Sequence, residues 1–155
     1  MNTLVTIFSK LGLSLLVSRK NRERFLFLND KRRNKWEDFG GKTSSEDETI
    51  FDTVAREVEE ETNNMYSKEE IIEYLKICPT VYIPAGKYLC FLLPWTKNGK
   101  KIDKIEKTTG FVRRFKWINK DNTSNTLLHC RLKHKKYLSF LCNSYNNKNK
   151  DVSLI

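Results

Sequence analysis

One predicted helix of this chain carries a dense group of glutamates, and that group constrains the fold more than any other feature. It belongs to the segment FGGKTSSEDETIFDTVAREVEEETNN at residues 39–64, which opens with a phenylalanine and a glycine pair. Ser44 and Ser45 each have an acidic residue three positions later, so the segment predicts a helix that begins at one of these serines and ends near Thr62. The glutamates of this helix are Glu57, Glu59, Glu60 and Glu61. Like charges this close repel one another, so their grouping needs a physical reason.

Three of these glutamates share one face of the predicted helix. Because a helix turns by about 100° per residue, Glu57, Glu60 and Glu61 stand at i, i+3 and i+4 on the same side. An apolar stripe runs beside them and consists of Ile50, Phe51, Val54, Ala55 and Val58. The three carboxylates therefore line the rim of a buried face.

Two explanations account for this arrangement. The carboxylates are either solvated and paired with nearby lysine and arginine, or they surround a divalent cation that compensates their repulsion. Ligation by carboxylates and a backbone carbonyl from the Gly40–Gly41 loop would favour a hard cation such as Mg²⁺ or Mn²⁺ over zinc.

The composition favours a single domain with anionic partners. A chain of 155 residues with 39% hydrophobic residues can bury one core. The net charge of +10 attracts anions, which makes phosphorylated small molecules and nucleic acids the natural partner classes. We assign residues 1–143 to the domain and residues 144–155 to a polar C-terminal tail.

The chain is predicted to be cytoplasmic and not to contact a membrane. The most apolar segment, LGLSLLV at residues 11–17, is far shorter than the roughly 20 residues that span a bilayer. No small-residue cleavage site follows it, so it does not indicate a signal peptide. The four cysteines form no Cys-x-x-Cys pair, which suits a reducing compartment. A zinc site at His129, Cys130, His134 and Cys142 is disfavoured, because their spacing matches no standard site.

The rest of the chain alternates short strands with helices. Ser67, with Glu70 three residues later, predicts a second helix over 67–77. Leucines at helical spacing predict a third helix over about 124–142. The predicted strands are 12–18 and 24–29 as a hairpin, 80–83 and 87–95 around a Pro-Ala-Gly turn, and 111–118 after a basic loop at 96–110. This order predicts an α+β fold, a mixed sheet covered by helices.

The glutamate segment resembles the Nudix box. That pattern is Gly, five residues, Glu, seven residues, then Arg-Glu-apolar-x-Glu-Glu-x-Gly-apolar, and it is similar to residues 41–64 here, with Arg56 and Glu57 as the Arg-Glu pair. Two departures are present: six residues separate Gly41 from Glu48, and Asn63 replaces the usual glycine. Asparagine is the next best residue for a left-handed helix cap. The resemblance implies an α/β/α sandwich with a mixed sheet flanked by helices.

The resemblance also implies an activity and a set of residues. Nudix enzymes hydrolyse the diphosphate linkage of nucleoside diphosphate derivatives with Mg²⁺ or Mn²⁺. It implies metal ligands at Glu57, Glu60, Glu61 and the Gly41 carbonyl, and catalytic roles for Glu57, Glu60 and Arg56. Arg56 is expected to orient a box carboxylate, with direct phosphate contact as the alternative. The general base is expected to be Glu57, with Glu106 or Asp103 in the basic loop as the alternative.

The substrate stays open at this stage. Lys42, Trp36 and Phe39 are the predicted substrate-binding residues, because WEDFGGK is similar to the start of the box in some Nudix triphosphatases. The leading substrate is a free nucleotide, and the basic surface makes the 5′ end or cap of an RNA the second candidate. A non-catalytic nucleotide- or RNA-binding module is the third. Many family members dimerise, so a homodimer is one option for the assembly.

Overall fold

The fold is built on a mixed β-sheet of seven described strands. The structure is a computed structural model that describes residues 12–19, 24–30, 34–83, 87–94, 105, 113–119 and 121–122. The strands are β1 (Gly12–Arg19), β2 (Arg24–Asp30), β3 (Trp36–Glu37), β4 (Phe39–Lys42), β5 (Thr80–Ile83), β6 (Tyr88–Pro94) and β7 (Arg113–Asn119). The helices are α1 (Ile50–Glu61) and α2 (Lys68–Leu75).

Strand β1 organises the sheet. It pairs with β6 in parallel from Gly12 to Ser18, and its other edge is shared by β2 and β4, both antiparallel. Strand β2 likewise pairs with β7 along its whole length and shares its other edge between β1 and β3. The short strands β3 and β4 thus bring the glycine pair against β1, directly before the chain enters α1.

The two faces of the sheet bury different clusters. Alternate residues of β1 point to opposite sides, as in any strand. Leu13, Leu15 and Val17 pack under the helices together with Val54 and Val58 of α1. The opposite face buries a second cluster, to which neither described helix contributes, formed by Leu16, Phe25, Phe27, Val81, Tyr88, Cys90, Leu92 and Ile118.

Helix α1 begins at Ile50, so the predicted start at Ser44 or Ser45 is wrong. Thr49 is the N-cap, and it forms a reciprocal capping box with Asp52. Ser44 and Asp47 form a turn before the helix instead of a helix cap. The Ser44 backbone N–H donates to the Asp47 carboxylate at 2.9 Å. The first serine of the polar run therefore shapes the loop rather than the helix.

The end of α1 agrees with the prediction. The helix ends at Glu61 with Thr62 as its cap, and Asn63 and Asn64 adopt φ values of 51° and 65°. The Asn64 N–H donates back to the Glu59 carbonyl at 2.8 Å. Asn63 therefore serves in the left-handed conformation that glycine usually takes at this position.

The other predicted elements within the described residues are confirmed. Helix α2 has Ser67 as its N-cap with the Glu70 capping box, although it ends at Leu75 rather than at residue 77. Strands β1, β2, β5, β6 and β7 match the predicted runs to within two residues at each end. The α+β fold with a mixed sheet and helices is thus confirmed.

Several predictions lie outside the described residues. They are the helix at 124–142, most of the loop at 96–110, the tail at 144–155, the cluster His129, Cys130, His134 and Cys142, and the loop acids Asp103 and Glu106. Within the described ranges, neither helix has the length and apolarity that crossing a bilayer requires.

Candidate active site

Asp47 and Arg56 form the most connected ion pair of the described structure. Asp47 is 1% exposed, and its Oδ1 accepts from Arg56 Nε at 3.1 Å while its Oδ2 accepts from Arg56 Nη2 at 3.0 Å. Oδ2 also accepts from Thr53 Oγ1 and from the Ser44 N–H, each at 2.9 Å. Burial alone would raise the pKa of Asp47, but the bonds from Arg56, Ser44 and Thr53 outweigh it and lower that pKa. The pair is a fixed, ionised anchor.

This pair revises how the segment matches the Nudix box. The acid that faces Arg56 is Asp47. Glu48 is exposed, and among the residues that the structure describes its one partner is Asp52, which accepts from its backbone N–H. Residues 42–46, five in number, separate Gly41 from Asp47, as the pattern requires. The extra residue therefore lies between the acid and Arg56, not before the acid. The acid in the loop is one residue earlier than the spacing to Arg56 predicts.

Arg56 links this anchor to the glutamates. Its Nη1 donates to Glu57 Oε1 at 3.1 Å and lies 3.6 Å from Glu60 Oε1. Its Nη2 also donates to the Lys42 carbonyl at 3.1 Å. The hydrogen bonds to Asp47 are the main cause that raises the pKa of Arg56 above its ordinary value. The guanidinium therefore fixes Glu57 and the end of β4 in one geometry, which is the arrangement expected of an orienting residue.

The glycine pair brings α1 close to β4. The Gly40 N–H donates to Glu61 Oε1 at 2.9 Å. Gly40 has φ +149°, and a Cβ there would overlap the Leu13 carbonyl, so only glycine fits. A Cβ on Gly41 would overlap the Glu57 carboxylate. Both glutamates therefore lie directly against backbone that no side chain covers.

The carboxylates of Glu57 and Glu61 are held in unfavourable surroundings. Glu61 is 6% exposed, and burial, followed by the charge of Glu57, raises its pKa well above the ordinary value despite the bond from Gly40. Burial and then the charge of Glu60 raise the pKa of Glu57, although Arg56 opposes the shift. A cation between these groups would relieve both effects.

The donor chemistry fits a hard divalent cation. The available ligand groups are carboxylates and backbone carbonyls, which such ions prefer. Within the described residues, however, no three acidic, histidine or cysteine side chains are gathered into a ready-made cluster. On α1 the third glutamate, Glu60, has a side chain that is 59% exposed and lies near Arg56. Glu57 and Glu61 are thus in place as a pair, and Glu60 stands beside them.

The predicted substrate-binding residues lie in three different environments. Lys42 is exposed at the end of β4. Phe39 is 2% exposed and stacks on Phe115 at 6.1 Å between ring centroids, so the structure makes it a packing residue of the core. Trp36 packs on the opposite face of the sheet, where the Arg114 guanidinium lies 5.8 Å from its ring. The structure therefore does not bring the two aromatic rings together with the glutamates.

Two charged residues near the glutamates were missed from the sequence. Glu37 of β3 is 6% exposed, and its charge contributes to the raised pKa of Glu61. Arg113, the first residue of β7, acts in the opposite direction on the pKa of both Glu57 and Glu61. The alternation in RRFKWIN was the available signal, because Arg113 shares a face with the apolar Phe115 and Trp117.

A comparison with models of protein families identifies the family of this chain. The family model described as the NUDIX domain matches residues 3–130, and the chain belongs to that family. None of the curated proteins is similar enough in sequence to match.

Solved structures of similar proteins have low sequence identity. A MutT structure from work on Aliivibrio salmonicida and Vibrio cholerae is 10% identical, with 83% of this chain and 94% of that one covered and a TM-score of 0.48. MutT from Methanosarcina mazei Go1 is 17% identical over 90% of this chain and 94% of that one, with a TM-score of 0.45. A MutT/nudix family protein from Enterococcus faecalis is 15% identical over 90% of this chain and 62% of that one, with a TM-score of 0.46.

Membership in the family defines the class of enzyme. The chain is a pyrophosphohydrolase of the Nudix type, a hydrolase that acts on phosphorus-containing anhydrides. Hydrolases of this family generally use divalent metal ions and act on nucleotide-type substrates.

Proposed function

We propose that this chain is a Mg²⁺- or Mn²⁺-dependent hydrolase that cleaves the diphosphate linkage of a nucleoside triphosphate or of a nucleoside diphosphate derivative. The observation that carries the proposal is the pair Glu57 and Glu61, held against the bare backbone of Gly40 and Gly41. Burial in this position works against the ionised form of both carboxylates, so the arrangement is costly for a purely structural role.

In this proposal the box supplies the metal ligands. Glu57, Glu60, Glu61 and the Gly41 carbonyl would hold the ion, and Glu60 is exposed enough to turn from Arg56 toward it. When bound, such an ion neutralises charge on the diphosphate and acidifies an attacking water. Asp47 would act indirectly, because it fixes Arg56 and Arg56 orients Glu57.

The reaction itself is hydrolysis, and it balances with water alone. The water oxygen forms a bond to one phosphorus, the bond from that phosphorus to the bridging oxygen breaks, and the bridging oxygen leaves with the other phosphate. Glu57 is the proposed base that accepts the proton of the water. Glu106 and Asp103 are the alternatives for the same role.

Two further residues are proposed to contact parts of the substrate. Lys42 is exposed at the end of β4 and is proposed to meet a phosphate. Trp36 is only partly buried and is proposed to contact the base, which then has to reach the edge of the sheet formed by β3. We also propose a cytoplasmic location, because Cys78 is a free thiol.

The decisive experiment is a substrate panel with Mg²⁺ and with Mn²⁺. The panel contains nucleoside triphosphates, nucleoside diphosphate sugars, dinucleoside polyphosphates and capped RNA. The wild type is compared with Glu60→Gln and Glu61→Gln, and the matched control is Glu48→Gln, an exposed glutamate outside the site. We expect the wild type to turn over at least one free nucleotide. The rate should fall by about 10²-fold or more in the two site variants and stay unchanged in the control.

Other results would change the proposal. Release of a capped nucleotide from RNA, with little turnover of free nucleotides, would make RNA the substrate. The net charge of +10 is the feature that favours that outcome. Full activity in Glu61→Gln would remove the proposed site.

A further inference from the structure

The position of Arg113 follows from the register of the sheet. On β7, Phe115 pairs with Leu28 of β2 and Trp117 pairs with Leu26, and all four side chains belong to the core under the helices. Because successive residues of a strand alternate between faces, Arg113 continues this row on the same side. The next residue, Arg114, lies on the opposite side.

This row of β7 side chains extends from the core toward the glutamates of α1. The ring of Phe115 stacks on Phe39, and Phe39 precedes Gly40, whose N–H binds Glu61. Arg113 is one pleat beyond Phe115 toward the start of β7. Its side chain therefore lies on the face of the sheet that α1 covers, the face against which Glu57 and Glu61 are held.

The three arginines of this region differ in their partners. Arg56 is saturated by Asp47, Glu57 and the Lys42 carbonyl. Arg114 donates to Asn29 Oδ1 at 3.0 Å and lies near the Trp36 ring. Arg113 is half-buried, and among the side chains that the structure describes no carboxylate lies within 4.0 Å of its guanidinium. Its guanidinium is therefore held near the site without a short ion pair to those residues.

We propose that Arg113 binds a phosphate group of the substrate beside Glu57 and Glu61 and thereby determines the affinity for the polyphosphate. Glu37, Glu57, Glu60 and Glu61 together repel a polyanion, so a substrate with several phosphates needs a fixed cation on the same face. The planar guanidinium forms paired hydrogen bonds to phosphate oxygens, which an ammonium does not. This inference rests on the proposed function and adds a substrate-binding residue to it.

The experiment compares two neighbouring arginines on opposite faces of one strand. Arg113→Ala and Arg113→Lys are measured beside Arg114→Ala, which removes the same charge from the other side of the sheet. The first readout is the binding of inorganic pyrophosphate by calorimetry, which needs no turnover. The second is the separation of KM from kcat on the best substrate of the panel.

We expect Arg113→Ala to weaken pyrophosphate binding and to raise KM by about tenfold or more, with a smaller change in kcat. Arg113→Lys should be intermediate, and Arg114→Ala, whose guanidinium lies on the Trp36 ring, should bind pyrophosphate within about twofold of the wild type, because pyrophosphate has no base. Thermal unfolding checks each variant, and Arg113→Gln replaces the alanine variant if that one does not fold.

The possible failures are distinguishable. If the wild type is active and Arg113→Ala binds pyrophosphate as tightly as the wild type, the inference about Arg113 is wrong and the proposed function stands. An equal loss in Arg114→Ala would also overturn it, because the effect would then come from general surface charge. If no member of the panel is hydrolysed while Arg113→Ala still loses pyrophosphate, the proposed function fails and the phosphate contact remains.

Discussion

Asp47 and Glu61 are two almost completely buried carboxylates at opposite ends of the same loop-helix segment, and they differ in every other respect. Asp47 accepts hydrogen bonds from Arg56, Thr53 and the Ser44 N–H, and its pKa is lowered. Glu61 accepts one described hydrogen bond, from the Gly40 N–H, and its pKa is raised. The first region is built to hold a charge permanently. The second leaves charge uncompensated, which is the pattern of a binding site rather than of a structural pair.

The largest expected effect tests the anchoring region. Asp47→Asn removes the charge that Arg56 binds and leaves the guanidinium without its main partner. We expect a loss of about 3 kcal/mol in the free energy of unfolding, because breaking a buried ion pair from one side is strongly destabilising. Urea unfolding measures it, with Glu48→Gln as the matched control. A loss in the control as large as in Asp47→Asn would restore Glu48 as the acid of the box.

The next effect tests the binding region without using turnover. Mg²⁺ that binds the folded chain should stabilise it, by about 2.7 kcal/mol at a concentration one hundred times the dissociation constant. Thermal unfolding with increasing Mg²⁺ measures this gain at neutral pH. Asp47→Asn should keep a large part of the gain, whereas Glu61→Gln should lose nearly all of it. An equal gain in Glu61→Gln would mean that the ion binds elsewhere.

The smallest effect separates the two carboxylates by pH. The folded-state pKa of Glu61 lies above its ordinary value of 4.5, so its stabilising contribution is complete below that pH and is lost as the pH rises through the folded-state pKa. The pKa of Asp47 lies below its ordinary value of 3.8, so its contribution is present above that pH and is lost as the pH falls through the folded-state pKa. A tenfold difference in proton affinity between the folded and unfolded chain corresponds to about 1.4 kcal/mol of stability.

The measurement is urea unfolding of the metal-free protein between about pH 3 and pH 8. Glu61→Gln should flatten the decline on the alkaline side, and Asp47→Asn should flatten the decline on the acidic side. If Glu61→Gln steepens the alkaline decline, the carboxylate is stabilising when ionised and the contrast between the two regions disappears.

The elements were predictable because their signals are local. Short runs of branched and aromatic residues predict β1 and β2, an apolar run with charged residues on one face predicts β7, and the Ser67–Glu70 capping box predicts the start of α2. The start of α1 was not predictable in the same way. Ser44, Ser45 and Thr49 all have an acid three residues later, so the local pattern does not choose among them. In the folded chain Asp47 binds Arg56, and Thr49 is the N-cap.

The candidate site was predictable only as far as one helix reaches. Helical spacing gives Glu57, Glu60 and Glu61, because residues three and four apart are neighbours on a helix. The alternation in β7 indicates the face on which Arg113 lies. The pairing of β3, β2 and β7 that brings Glu37 and Arg113 to the glutamates is not encoded by any local pattern. Trp36 and Phe39 are three positions apart, so alternation along an extended chain places them on different faces, and the similarity of WEDFGGK that linked both to the substrate does not encode this.

The parallel pairing of β1 with β6 sets the order in which the site can form. Residues 12–18 leave the ribosome long before their partners at residues 88–94. Until those partners are synthesised, β1 has one edge without its partner, and the sheet that supports α1 is incomplete. The acidic helix must therefore exist for a time as a nascent segment with no stable platform. Such non-local closure is slow, so a chaperone that shields the open edge of β1 during translation should raise the yield of folded enzyme.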